Sequence, residues 1–373
     1  MPRVKHIFRW DLDKTYLKTE FDTLGDIVRT ARMTAEEREN IPGSAGMIRA
    51  IRDVTGSDER HLIYFISGSP EQLRPVIERK FALDGFIPDG FVLKPTVSNI
   101  LRGRFRAIRG QLGYKLAQLL QMRTEAPVGT PETLFGDDAE SDAFVYSLYA
   151  DVVAGRVPHD TLRSLLKSSG AYGSQIREIE EHLSNVIRED PVRRIVIHLD
   201  TQTPPMAFQA FFPRLVPIYN HLQTALVLHL DGTIPAEGVV VVAKELVETF
   251  GFDRQSLVQL AEDIFLRRRP YIAQARLEGL VEELKDTKAT RDLEDDAPSE
   301  TTRAAISDIA TCAEQLLNRP KPGSSTDLVP RTDYEALWQE DTARQAEARR
   351  ARRMAAKANR SKDIQQPPAD AER

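Results

Sequence analysis

Short apolar runs separated by longer amphipathic stretches set the pattern of this chain. The runs at residues 4–10, 62–66, 133–135, 195–199 and 225–230 have the length of strands buried on both faces. Between them apolar residues recur at helical spacing: Met47, Ile48 and Ile51 after the Pro42-Gly43 step, then Leu73, Val76, Ile77 and Phe81. Strand and helix in alternation predict an α/β fold, a doubly wound parallel sheet flanked by helices. From 149 to 191 the pattern is helical, with Leu162, Leu165, Leu166, Ile176, Ile179, Leu183 and Ile187, which predicts a helical insertion at about 150–191. Three more helices are expected between 238 and 285, among them 255–268 and 272–284.

After Glu282 the composition changes. Asp292, Glu294, Asp295 and Asp296 lead into an amphipathic helix at 300–317, a Pro/Gly/Ser linker at 320–330, and a last helix at 334–360. That helix carries Arg344, Arg349, Arg350, Arg352, Arg353, Lys357 and Arg360. The expected division is a catalytic unit at 1–285 and an extension at 286–373, basic and largely disordered at its end. Arginine at this density attracts phosphate, so RNA, an anionic lipid or an acidic partner are candidate contacts. A solvated tail explains it as well, because only Leu337, Trp338 and Met354 offer apolar anchorage.

Composition narrows the classes. With 373 residues and 41% apolar content, the chain can bury a substantial core. A net charge of −5 gives no global attraction to nucleic acid or an anionic membrane. The lone Cys312 excludes an internal disulfide and a thiolate metal cluster. No apolar leader precedes the run at Val4 and no run of about 20 apolar residues could span a bilayer, so the expected location is cytoplasmic.

In a parallel sheet, reactive groups collect beyond the carboxyl ends of the strands. The first run ends in Asp11-Leu12-Asp13-Lys14-Thr15, the second in Ser67-Gly68-Ser69, and the 133–135 run in Gly136-Asp137-Asp138-Ala139-Glu140-Ser141-Asp142. Lys115 opens a helix between the last two. A hard divalent cation needs a few carboxylates and room for water and a phosphate oxygen, which Asp11 and Asp137 supply. Asp11 could attack phosphorus and pass through an aspartyl phosphate, while Asp13 protonates the leaving group and then activates water. Lys115, the Ser67 hydroxyl and nearby backbone N–H groups would stabilise the transferring group. Singly these residues read as turn formers or helix caps, and Ser69 could stand in for Ser67.

The ordered set Asp-x-Asp-x-Thr, strand-end Ser67, helix-start Lys115 and Gly-Asp-Asp-x-x-x-Asp resembles the four motifs of the haloacid dehalogenase superfamily, over about the first 150 residues. The resemblance implies Asp11 as nucleophile, Asp13 as acid/base, Ser67 and Lys115 as phosphoryl ligands, and magnesium on Asp11, the Asp13 carbonyl and Asp137. Either Asp138 or Asp142 could support Asp137; Asp142 is preferred. The stretches 65–73 and 136–146 are similar to the phosphatidate phosphatase domain associated with actin patch proteins. The gaps at 15–42 and 91–115 are too short for a large cap, which suits a lipid or macromolecular phosphate.

Asp200 and Asp231, each after an expected strand, could line the same cleft, although turn roles fit them better. His198 and His229 read as satisfied within the sheet. Arg102, Arg104, Arg106 and Arg109 are candidates to grip an anionic substrate or to form an exposed face. A receiver-type signalling module uses similar residues in a different order, since here Ser67 and Lys115 precede the second acidic group. The remaining alternative is a catalytically silent binding or scaffold protein that works through its insertion and basic tail.

Overall fold

The computed structural model describes residues 2–19, 33–52, 59–94, 111–286, 297–319 and 332–365. Six parallel strands form one sheet in the order β3-β2-β1-β4-β5-β6: β1 (Arg3–Asp11), β2 (Glu59–Pro70), β3 (Gly90–Lys94), β4 (Glu132–Asp137), β5 (Val192–His198) and β6 (Leu215–Ile218). The chain winds outward from β1 in one direction, then returns to place β4 on its other side. This Rossmann-like order leaves a crevice beyond the carboxyl ends of β1 and β4, where the crossovers diverge.

The helices of the first half are α1 (Ser44–Arg52), α2 (Arg74–Leu83), α3 (Gln111–Thr124) and α4 (Asp142–Val153). Those that follow are α5 (His159–Ser168), α6 (Gly173–Asn185), α7 (His221–Leu230), α8 (Ala236–Glu248), α9 (Arg254–Arg268), α10 (Gln274–Lys285), α11 (Glu300–Leu317) and α12 (Tyr334–Gln365). Two apolar cores lie on the two faces of the sheet. Phe8, Trp10 and Phe65 face α1, α2 and α7 to α11, whereas Leu134, Ile195 and Ile197 face α3 to α6 and the start of α12. Alternation along β1 explains the split, because Phe8 and Trp10 point one way and Ile7, Arg9 and Asp11 the other. Trp10 stacks on Phe135 across the strands at 3.8 Å between ring centroids.

The expected strand at 225–230 is a helix, α7, and it corrects the reading of Asp231 as a strand end and of His229 as a sheet residue. All ten α7 residues are buried. A helix buried all round has no polar stripe, so its apolar run cannot be told from a buried strand by periodicity. Asn220 starts it by accepting from the Leu222 N–H at 3.0 Å. Asp231 caps its far end and pairs with Arg194, whereas His229 Nδ1 meets the Ile234 carbonyl at 3.2 Å. The two strands absent from the expectation, β3 and β6, are the sheet edges, short and carrying Gly90 and Pro217, which an edge tolerates.

The stretch 150–191 holds the end of α4, then α5 and α6, so it forms the crossover from β4 to β5, and α6 packs on α3. Ile187 lies past α6 and is exposed. The amphipathic helix α11 does not stand apart from the sheet. Its Ala305, Ile306, Ile309, Ala310 and Ala313 are built into the core that covers one sheet face. The start of α12 likewise packs on α4, with Trp338 5.0 Å from Phe144 between ring centroids. The acidic stretch, the linker at 320–330, the stretch 95–110 with its four arginines, and residues 20–32 of the short gap at 15–42 lie outside the described residues. Among the described residues, no helix is long and apolar enough to cross a membrane.

Two buried histidines tie the fold to pH. Burial, reinforced by neighbouring His61, holds His6 down to about 3, and burial with His198 nearby does the same to His221. Both are therefore neutral in the fold while the unfolded chain takes up protons below about 6.5. Their contribution to stability is complete above that value and is lost as pH falls from about 6.5 toward 3, at about 1.4 kcal/mol per pH unit for each histidine. Buried carboxyls that titrate in the opposite sense overlap this window, so the comparison must be differential. In urea unfolding at pH 7, 6 and 5, His221→Gln, which keeps a donor toward Thr15, should show a shallower loss of stability than the parent by about that amount per unit. Equal slopes would rule out a neutral His221.

Candidate active site

The crevice between β1 and β4 gathers most of the candidate residues. Asp11 ends β1, and the chain turns at once. Lys14 adopts the left-handed conformation (φ 62°), and its N–H donates to the Leu17 carbonyl at 2.7 Å. Two histidines brace this turn through its carbonyls, His198 Nδ1 on Lys14 O at 2.7 Å and His221 Nε2 on Thr15 O at 3.1 Å. His198 is thus satisfied, as a structural reading of it requires, but at the floor of the site. The Lys14 ammonium meets Asp200 at 3.1 Å, which places Asp200 at the rim, whereas Asp231 lies elsewhere, paired with Arg194.

Turning the chain after β1 brings Asp13 beside the end of β2. The hydroxyls of Ser67 and Ser69 both donate to Asp13 Oδ2, at 3.0 and 2.9 Å, and the Ser69 N–H donates to Ser67 Oγ at 2.9 Å. Burial raises the Asp13 carboxyl above its ordinary value, against the hydrogen bonds from Ser69 and Ser67. A carboxyl raised in this way and held by two hydroxyls is placed to exchange a proton with a group in the crevice.

Lys115, on the first turns of α3, is buried among acids. Its ammonium lies 3.0 Å from Asp11 Oδ1, 3.0 Å from Glu140 Oε2, and in contact with Asp142 Oδ1. Burial alone would lower the Lys115 pKa, but Asp11, Asp142 and Glu140 overcome it and hold the group well above its usual value. Asp11 is pushed up strongly by burial despite Lys115. Asp137 is pushed up strongly by burial, then by Asp142 and Glu140. Asp142 rises to about 6, chiefly through burial with Lys115 opposing. The buried carboxyls of Asp11, Asp137 and Asp142 and the partly exposed Glu140 thus share a site in which Lys115 is the one buried ammonium in contact among the described residues.

Asp11, Glu140 and Asp142 come close enough to hold a metal ion. Lys115 already bonds to all three, however, so a cation centred there would compete with the ammonium. The more informative atom is Asp137 Oδ2. Its partner oxygen accepts the N–H groups of Ala139 (2.6 Å) and Glu140 (3.0 Å), while Oδ2 is buried without a hydrogen-bond partner. An orphaned, buried carboxylate oxygen is costly unless a cation or donor faces it. Together with the excess of acids, it fits a divalent cation shared between Asp137 and the end of β1.

Asp138 and Asp142, the two candidate supports for Asp137, differ. Asp138 is turned away and does not join the cluster. It accepts from the Thr201 N–H and hydroxyl, both at 2.7 Å, and from the Thr203 N–H at 3.0 Å, stapling the loop after β5. Asp142 faces inward between Lys115 and the Asp137 N–H (3.3 Å). Glu140 belongs to the same acidic run, but a third acid in an acidic turn has no spacing that marks it in the sequence. Tyr114, whose hydroxyl lies 3.5 Å from the Ser67 carbonyl and whose ring lies 5.0 Å from the Lys94 ammonium, gave no signal either.

A family model described as the catalytic domain of the phosphatidate phosphatase APP1 matches residues 10–164. The matched stretch is less than half of the 373-residue chain and contains Asp11, Asp13, Ser67, Lys115, Asp137 and Asp142. It points to a phosphatase, and the acidic cluster is one that could bind a metal. No curated protein and no solved structure matches the chain.

Gly136 decides whether Asp142 can sit where it does. A Cβ there would lie 2.4 Å from Asp142 Oδ2, 2.5 Å from its Cβ and 2.8 Å from its Cγ. Gly136→Ala should therefore destabilise the protein by about 1–3 kcal/mol in chemical denaturation. Most of that loss should vanish in an Asp142→Gly background, which removes all three atoms. Additive losses in the double variant would mean that the two residues do not compete for this space.

Proposed function

We propose that the chain is a magnesium-dependent phosphomonoester hydrolase of the haloacid dehalogenase type that works through an aspartyl phosphate on Asp11. One observation carries the reading: Asp11, Asp13, Ser67, Lys115 and Asp137 converge from β1, β2, α3 and β4 on a single crevice, with one buried oxygen of Asp137 unpaired. The family match over the same residues supports it. Asp11 and Asp137 would hold the cation with the Asp13 carbonyl, supported by Asp142; the bound cation would withdraw charge from the phosphate oxygens. Asp138 has no part in this proposal.

In the first step an Asp11 carboxylate oxygen forms a bond to phosphorus as the bond to the ester oxygen breaks. That oxygen leaves with the proton of Asp13, whose carboxyl burial raises above its ordinary value. In the second step Asp13, now ionised, takes a proton from water, whose oxygen attacks phosphorus and frees Asp11 and inorganic phosphate. The Lys115 ammonium holds Asp11 in line and offsets charge on the phosphoryl group, with the Ser67 hydroxyl beside it.

For the substrate we propose a phosphorylated lipid, on the printed description of the matching family. Contact of the Arg349 to Arg360 stretch with an anionic surface belongs to the same proposal. Purified full-length protein, assayed on p-nitrophenyl phosphate, phosphatidate, phosphopeptides and nucleotides, should release phosphate only with magnesium, fastest from phosphatidate. Asp11→Asn and Asp13→Asn should each lower kcat by at least about 1000-fold. Turnover indifferent to Asp11 would remove the mechanism, and no turnover on any substrate would favour the silent binding protein.

A further inference from the structure

The loop that joins β4 to α4 carries Asp137 at one end and Asp142 at the other, and their acids repel one another across it. Within the loop, Asp137 Oδ1 accepts the Ala139 and Glu140 N–H groups, and the Asp137 N–H donates to Asp142 Oδ2 at 3.3 Å. From outside, Lys115 holds Glu140, and Asp138 is tied to β5 and the loop after it through its N–H and its carboxylate. A further hold comes from α12, far along the chain and past the end of the family match at residue 164. Gln345 is buried, 5% exposed, and its Nε2 donates to Ser141 Oγ at 2.8 Å and approaches Asp341 Oδ2 at 3.0 Å. Ser141 is the residue directly before Asp142. Arg344 lies over the Phe208 ring at 5.1 Å and reaches both the Asp138 carbonyl and Thr203 Oγ1 at 3.3 Å, so it binds the two loops to each other.

The same helix is anchored upstream by groups that do not touch the loop. Tyr334 is buried with its hydroxyl 2.7 Å from Asp151 Oδ2 and 2.9 Å from the Ser147 carbonyl, and Trp338 packs on Phe144. A solvated tail has no use for a buried amide and a stacked guanidinium, each of which must recover the free energy of leaving water.

We propose that Arg344 and Gln345 are positioning residues of the active site: the start of α12 clamps the 138–141 loop and thereby fixes Asp137 and Asp142 for the reaction. The inference rests on the phosphatase reading for its kinetic consequence, though not for its structural one. Full-length Gln345→Leu and Arg344→Met should each lower kcat about tenfold, as loss of an outer support does, with KM little changed and the magnesium needed for half-activation raised. Hydrogen exchange at the amides of residues 137–142 should quicken in both. Tyr334→Phe, which loosens the same helix away from the loop, should lower thermal stability while leaving kcat per folded molecule and that exchange unchanged. Variants of Arg344 and Gln345 that match the parent in kcat and exchange, or a Tyr334→Phe that reproduces their effects, would overturn the clamp. Faster exchange in a protein that turns over nothing would keep the clamp and remove the phosphatase reading.

Discussion

A single ammonium holds the acidic crevice together. Lys115 is buried at the point where Asp11, Glu140 and Asp142 meet, and without it these carboxyls could not approach one another in a medium that screens charge poorly. Its neutralisation is incomplete. Asp137 stands beside the group with one oxygen unpaired, and that residual demand for positive charge is the physical basis of the cation proposed here.

The crevice exists because of how the sheet is wound. Placing β4 next to β1 brings the ends of strands more than a hundred residues apart into register, so that Trp10 faces Phe135 and the two acidic loops leave the sheet side by side. Local devices then aim the side chains. The left-handed Lys14 turns Asp13 toward Ser67 and Ser69, Gly136 leaves room for Asp142, and His198 and His221 secure the turn from below.

Helices far along the chain finish this unit. α11 covers one face of the sheet and the start of α12 binds the loop that carries the second acidic group. A phosphatase-like core limited to the matched residues 10–164 would lack β5, β6, both bracing histidines and the clamp. The crevice is fastened by elements that follow the matched residues.

The sequence by itself determined the alternation of strand and helix, the central strands, the amphipathic helix at 300–317, and the order of the acids, serine and lysine. These are local properties: a strand end followed by Asp-x-Asp, or a helix with one apolar stripe, announces itself within a few residues. Tertiary structure decided the rest. Whether 225–230 became a strand or a helix depended on what surrounded it, because complete burial erases periodicity. The choice between Asp138 and Asp142 depended on where Thr201, Thr203 and Lys115 came to lie, none of them near in sequence. Glu140 and the contacts of α12 follow the same rule, since charge and hydrogen-bond partners in a folded chain are set by distance in space, which spacing along the sequence does not encode.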